Sequence, residues 1–238
     1  MVTRCLLLTT DTPHHRYFAG RLARWVELTV VLEESASGAA ARFSFNRLQD
    51  RFERKSFNGG SEGFGAQGGF HRFRSVNERE CRELIRRTQP DLLVTFGTRR
   101  VLPAVYRMVP LSVNVHRGIL PDYRGLDSDL WALYRRDFGN IGTALHLLEE
   151  RLDTGPVLLQ RRLELRAPLA AHELRYHTTL LAADLMEELL QSLRKGAPPA
   201  ASPQDLRRGV YLSAIPPLKR WLASRRLQRY LNGHAAHG

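Results

Sequence analysis

The sequence is short of cysteine, lysine and long apolar runs, and each shortage excludes something. Two cysteines, Cys5 and Cys81, are too few in 238 residues for a disulfide framework or a cysteine-built zinc site. Cys5 stands in the apolar run Cys5–Thr9 and reads as a small core residue. No apolar stretch approaches the roughly 18 residues that a membrane-spanning helix requires. The first residues hold one arginine and a short apolar run without a small-residue cleavage region, so a cytoplasmic location is expected. Lysine occurs only at Lys55, Lys195 and Lys219, so nearly all of the 36 basic side chains are arginines. Against 24 acidic side chains they leave a formal charge of +12, which invites a nucleic-acid reading. An arginine skew is as readily a genomic codon bias as a binding surface. The surplus is also uneven. No Asp or Glu follows Asp205, whereas Arg207, Arg208, Lys219, Arg220, Arg225, Arg226 and Arg229 do.

What is present suffices for a folded α/β domain. An apolar fraction of 43% can build a core and excludes wholesale disorder. The length fits one domain with a short appendage. Cys5–Thr9 reads as a buried parallel strand, and Asp11 or Thr12 as the cap of a helix over His14–Leu28 with Pro13 in its first turn. Thr29–Leu32 is the next strand, so the chain opens as β-α-β. Residues 35–75 break that rhythm. They are rich in Gly, Ser, Arg and Phe, and their Gly59-Gly60 and Gly68-Gly69 pairs argue against any long regular element. They read as an insertion or lid, either mobile or covering a substrate. Further on, strands are expected at Leu92–Phe96, Leu111–Val115, Gly142–Leu148 and Val157–Leu165. Helices are expected near Val76–Thr88, up to about Tyr106, over Asp127–Tyr134 and over His172–Leu193. A linker, Ala197–Pro203, divides a catalytic domain, 1–203, from a basic helical tail, 204–238. In that tail Leu218, Trp221, Leu222 and Tyr230 would supply apolar contacts. The pattern is a Rossmann-like open, mostly parallel twisted sheet flanked by helices.

The chemistry concentrates in Ser112–Gln160. Asn114 and His116 are two apart in a strand, so both side chains leave on one face. The chain then enters a Pro/Gly-rich loop, which places that face at the carboxyl end of a strand, where open α/β sheets bind ligands. An amide beside an imidazole provides an oxyanion donor and a proton carrier, a pair suited to acyl transfer. The same pair could instead satisfy loop backbone groups. Asp153, in the turn Leu152-Asp153-Thr154-Gly155, supplies a carboxylate able to orient His116 and stabilise its cation. No nucleophile with a paired base is evident, which favours direct attack by a substrate amine or water.

Asn-x-His, then Gly118-Ile119-Leu120-Pro121-x-Tyr123-Arg124-Gly125, then the aspartate of Leu-Asp-Thr-Gly-Pro and Gln160 resemble the formyltransferases that use 10-formyltetrahydrofolate. The resemblance covers about Val76–Tyr211 and is strong from Asn114 to Gln160. It implies that Asn114 polarises the formyl oxygen, that His116 handles protons and that Asp153 orients His116, with no metal required. His146 matches a histidine of some members and is either a support for Asp153 or a core histidine satisfied by backbone. The resemblance places the cofactor's pterin beside Phe96, Gly97, Thr98, Arg99, Arg100, Val101 and Leu102 and beside Leu152. Arg99 and Arg100 depart from the apolar residues common there. Either one meets the cofactor's glutamate tail or both face solvent.

The acceptor is less legible. Members that use a phosphorylated ribonucleotide have a Gly-rich first turn that cradles phosphate, whereas this chain has Thr9-Thr10-Asp11-Thr12-Pro13. Methionyl-tRNA enzymes add a second domain, for which the tail looks too short, and the cofactor hydrolase adds a regulatory one. An amino sugar, carried on a phosphate-bearing nucleotide, is the expected acceptor. His14, His15, Arg16 and Tyr17 stand at the right mouth of the sheet to meet it, or else simply begin the first helix. The tail is expected to dock on its own domain or on a homodimer mate, with peripheral membrane contact as the sharper reading. Hydrolysis of the cofactor, another amine acceptor and plain nucleic-acid binding remain as alternatives. The last leaves Asn114, His116 and Asp153 unexplained.

Overall fold

A computed structural model describes residues 3–34, 44–57, 64 and 68–235. The elements are β1 (Arg4–Thr9), α1 (Pro13–Leu22), β2 (Glu27–Glu33), α2 (Ser44–Ser56), β3 (Gly69–Phe73), α3 (Arg79–Thr88), β4 (Leu92–Phe96) and α4 (Pro103–Tyr106). They continue with β5 (Leu111–His116), β6 (Tyr123–Gly125), α5 (Ser128–Arg135), β7 (Gly142–Leu147), β8 (Val157–Arg162), α6 (Leu174–Arg194), β9 (Val210–Leu212) and α7 (Pro217–Ala235). Seven strands form one sheet in the order β3-β2-β1-β4-β5-β7-β8, and β6 pairs with β9 in a second, two-stranded sheet. The first five are mutually parallel, and β7 runs antiparallel to both neighbours. The expected open, mostly parallel sheet is therefore present.

Strand alternation builds a helix layer on each face. Cys5 and Leu7 join the cluster beneath α1 and α6, while Leu6 and Leu8 join the one beneath α3 and α4. A strand buried on both faces has to be continuously apolar, which is why CLLL carries no polar alternation. Each fully buried leucine contributes about 1.5–3 kcal/mol. The sheet reverses its winding between β1 and β4, and a crevice opens at the carboxyl ends of those strands.

Three expectations need correction. The first helix stops at Leu22, because Val26 and Leu28 are buried with the sheet and the Glu27 N–H already pairs with Thr3. No side chain caps it; Asp11 instead holds Arg16, and Thr12 Oγ1 lies 3.0 Å from His14 Nδ1 and 2.9 Å from His15 Nδ1. Asp127 likewise caps nothing: it lies in the left-handed region, and its carboxylate takes the Ile215 N–H at 3.0 Å. Second, residues 35–75 contain the 13-residue α2 and the strand β3. Phe45, Leu48 and Phe52 recur at helical spacing ahead of the glycine pairs, so the punctuation limits only the chain beyond the helix. Gly59-Gly60 and Phe43 lie outside the described residues.

Third, α7 docks on its own domain through a stripe that shares Tyr230, stacked on Phe138, with the expected one but not Leu218 or Trp221. Ala223, Leu227 and Leu231 are buried with Leu130, Ala132 and Leu133, whereas Leu218 and Trp221 are exposed. Many of its cations are engaged internally. Lys219 lies over Trp131, Arg226 over Tyr134, and Arg220 over Phe45 with an ion pair to Asp127. Among the described residues no helix is long and apolar enough to cross a membrane.

Candidate active site

Strand β5 turns Val113 and Val115 into the core under α6, so Asn114 and His116 leave on the opposite face. The antiparallel partner β7 places His146 directly across from Asn114. The turn between β7 and β8 then brings Asp153 over both. Asp153 adopts φ +56, a left-handed conformation that aspartate tolerates better than most side chains. Four polar side chains thus converge at one strand end.

Their hydrogen bonds assign tautomers. His116 Nε2 lies 2.8 Å from the Tyr123 carbonyl, an obligate acceptor, so Nε2 carries the proton. That leaves Nδ1 with the lone pair, 3.6 Å from Asp153 Oδ1. His146 Nδ1 is 2.8 Å from the Leu147 carbonyl and must donate, so Nε2 accepts from Asn114 Nδ2 at 2.9 Å. Thr95 Oγ1 donates to Asn114 Oδ1 at 2.6 Å and fixes the amide's orientation. One Asn114 N–H is consumed by His146, and the other has only a long 3.5 Å contact with Asp153 Oδ1.

Electrostatics divide the labour. Burial lowers the His116 pKa below the ordinary value of 6.5, although Asp153 opposes it, so the ring is neutral at pH 7. Burial alone would raise the Asp153 pKa. The His116 and His146 rings and the Gly125 N–H outweigh that and hold the carboxyl well below the usual carboxylate range. Asp153 is therefore a carboxylate beside a neutral imidazole, ready to stabilise the cation once His116 takes a proton.

The loops holding these groups depend on residues remote in sequence. The Gly125 N–H donates to Asp153 Oδ2 at 2.8 Å. Gln204 Nε2 donates to the Gly155 carbonyl at 2.6 Å and to that of Asp153 at 3.2 Å, gripping the turn from beyond the Ser112–Gln160 segment. Gln160 Oε1 accepts from the Leu120 N–H at 3.2 Å and steadies the 118–125 loop. Strand β9 pairs Tyr211 with Arg124 and Leu212 with Gly125, so residues after Pro203 are woven into that loop. Sequence inspection misses Gln204 and β9, whose only signal is a short Val-Tyr-Leu run.

A cavity of about 720 Å³ opens over the four side chains. Phe96, Gly97, Thr98, Arg99, Arg100, Val101 and Leu152 line it. Leu102 does not; its N–H donates to Asn77 Oδ1 at 2.8 Å, where α4 begins. Arg99 faces solvent in part but is tied to buried Glu33, 3.2 Å away. His14 and His15 also line the cavity, buried and held neutral by desolvation. Arg16 and Tyr17 turn elsewhere, Arg16 to Asp11 and Phe64, Tyr17 to Phe57 and Arg21.

A second cavity, about 790 Å³, adjoins the first and shares Thr10, Thr12, Arg117, Leu126, Asp127 and Arg175 with it. Arg175 is fixed by α2: it donates to Glu53 Oε2 at 2.8 Å and to Asp50 Oδ1 at 2.6 Å. Glu53, fully buried, also takes His14 Nδ1 at 3.1 Å. The helix hidden in residues 35–75 therefore forms a wall of this cavity.

Residues 29–189 match the sequence model of the family described as formyl transferase. The chain belongs to the formyl transferase family. Among curated relatives, a methionyl-tRNA formyltransferase of Chlorobium chlorochromatii (strain CaD3) is 31% identical over 137 residues, 57% of this chain and 43% of its own length. A GDP-perosamine N-formyltransferase of Brucella melitensis biotype 1 is 30% identical over 127 residues, 52% and 48% respectively. This formyl transferase family member spans less than half the length of those relatives. The crystal structure of the formyltransferase PseJ from Anoxybacillus kamchatkensis, in complex with UDP-4,6-dideoxy-4-formamido-L-AltNAc and tetrahydrofolate, has the same fold. It matches with a TM-score of 0.54 at 18% identity, over 88% of this chain and 85% of that one.

Proposed function

We propose that this formyl transferase family member moves a formyl group from 10-formyltetrahydrofolate to the primary amine of a nucleotide-linked amino sugar. The observation that carries the reading is the convergence of Asn114, His116 and Asp153 at the floor of a cavity. The walls fit a folate: Phe96, Val101, Leu148 and Leu152 offer apolar surface beside backbone and arginine donors. When bound, the co-substrate supplies a formyl carbon attached to a nitrogen that can leave. The free N–H of Asn114 is the donor for the charge that develops on the formyl oxygen, a role worth on the order of a hundred to a thousandfold. His116 Nδ1 takes the proton that the attacking amine loses and returns one to the departing nitrogen. Asp153 stabilises the imidazolium between those events.

The adjoining cavity has room for an acceptor of nucleotide-sugar size, and Arg117 on its lining, held only by a 3.9 Å contact with Asp129, suits phosphate. The relative named for GDP-perosamine supports this acceptor class, and the methionyl-tRNA relatives make charged tRNA the alternative to test. The test incubates purified protein with 10-formyltetrahydrofolate and a panel of UDP-, GDP- and dTDP-linked amino sugars, charged methionyl-tRNA and small amines. Formylated amino sugar with matching release of tetrahydrofolate is expected. Release without any acceptor identifies a hydrolase, and formylation confined to the charged tRNA removes the sugar reading.

The lowered His116 pKa also dictates the pH profile. The reactive form is the neutral ring, present above its pKa and lost as pH falls through it. The acid limb of kcat/KM is therefore expected to have its midpoint below 6.5, the ordinary histidine value. A limb centred above 7 would assign the titration to another group.

A further inference from the structure

The second cavity carries a charge balance that runs against the rest of the chain. Six carboxyl residues and four arginines share its lining, in a protein whose formal charge is +12. Two of those carboxyl residues, Glu33 and Asp129, are buried. Glu33 is fully engaged: Oε1 accepts from the Val76 N–H at 3.2 Å, Oε2 from the Arg99 N–H at 2.8 Å, and the Arg99 guanidinium lies 3.2 Å away. Asp129 is not.

Asp129 supplies the observation that points to a ligand. It is 4% exposed, in the first turn of α5, and its Oδ1 takes the Leu130 N–H at 2.8 Å. Its Oδ2 has no hydrogen-bond donor among the described residues, since Arg117 Nη1, at 3.9 Å, is beyond hydrogen-bond reach. Burial raises the Asp129 pKa above the ordinary carboxylate value; Arg117 offsets this only in part, and Asp127 adds to it. A buried carboxylate without a firm partner is destabilising, and a cationic donor is its natural complement. The residue also stands close to the chemistry. Ser128 precedes it in the chain, and Ser128 Oγ lies 3.4 Å from His116 Nε2.

We infer that Asp129 receives the ammonium group of the acceptor, so that the second cavity selects an amine by its positive charge and lets the product go once that charge is lost. The inference rests on the nucleotide-linked amino sugar reading and names the residue that recognises the amine. An aliphatic amine is cationic near neutral pH. In the reaction the ammonium and 10-formyltetrahydrofolate give a formamide, tetrahydrofolate and one proton, so the product is neutral where the substrate was charged. The same carboxylate therefore holds substrate more tightly than product. Arg117 stays available to phosphate, because its 3.9 Å separation from Asp129 is too long for a firm ion pair. One anion and one cation on the lining thus match the two charged groups of the acceptor.

The experiment titrates the full chain in an isothermal calorimeter, saturated with tetrahydrofolate so that no formyl group can move. The probes are UDP-, GDP- and dTDP-linked amino sugars, each paired with its N-formyl product. The amine is expected to bind roughly ten- to a hundredfold more tightly than the formamide, as a buried hydrogen bond to a charged group would provide. Asp129→Asn should bring that ratio toward one and leave the affinity for tetrahydrofolate unchanged. Glu34→Gln, an exposed position on the same lining, should keep the ratio intact. In the unchanged protein the ratio should also survive added salt, because a buried contact is weakly screened. That measurement needs no variant and decides the matter if Asp129→Asn folds poorly. Equal affinities for amine and formamide would overturn the role of Asp129 and leave the nucleotide-sugar reading standing. A ratio kept in Asp129→Asn, or lost in Glu34→Gln or in salt, would assign selection to the lining as a whole and overturn that role too. Binding of none of these compounds would overturn the acceptor reading itself.

Discussion

Replacing His116 with alanine is expected to lower kcat by about a hundred to ten-thousandfold, the range for a positioned acid–base group. The ring keeps one nitrogen uncommitted beside Asp153: Nε2 is held by the Tyr123 carbonyl, and Nδ1 faces the carboxylate, whereas both nitrogens of His146 are engaged. The cofactor cavity has many other walls, so folate affinity should fall by much less than turnover. Imidazole added to the variant should restore part of the rate, because the Asp153 carboxylate that stabilises its cation remains. Turnover within threefold of the unchanged enzyme would remove His116 from catalysis. A parallel collapse of folate affinity would recast it as a structural residue.

Gly125→Ala is expected to be nearly as damaging although the substitution adds one methyl group. Gly125 has φ +94, where an L side chain is strained by about 1–2 kcal/mol. The added carbon would also stand 2.1 Å from the Leu212 carbonyl oxygen, so β9 has to move away from β6. That movement displaces the N–H that holds Asp153 Oδ2, which ties a backbone change to the catalytic carboxylate. Stability should drop by about 2–4 kcal/mol, combining the strain with lost packing, and kcat by at least about a hundredfold. Gly139→Ala is the control: a carbon added there meets nothing within 4 Å, and its melting temperature and turnover should match the starting protein. If Gly125→Ala keeps both properties, strand β9 does not position the site.

The sheet and the chemistry were legible for different reasons. Continuously apolar runs such as Cys5–Thr9 and Leu92–Phe96 can only be buried on both faces, so their place in a parallel sheet follows from composition alone. Asn114 and His116 share a face because strand periodicity is local. By contrast, α2 was hidden by its neighbours: the glycine pairs beyond it made the whole 35–75 segment look irregular. Leu218 and Trp221 stay exposed because hydrophobicity alone does not say which face of α7 meets the domain; Ala223, Leu227 and Leu231 occupy that face against α5.

The +12 balance also changes meaning. Read along the chain it is a basic tail; in the fold, Lys219, Arg220 and Arg226 of that tail lie against aromatic faces or a carboxylate of the same domain. The cations left unpaired include Arg100 and Arg151 at the edge of the catalytic cavity, positions that nothing in the charge count distinguished.

Fold class, family and the residue types of the chemistry are readable along the chain, because they rest on local periodicity and on motifs of fixed spacing. That His146 faces Asn114, that Gln204 and Gly125 hold Asp153, and that α2 and Arg175 wall the second cavity was settled by the three-dimensional fold. Each of these depends on which strands pair and which loops meet, and pairing between distant segments is set by the packing of the whole core.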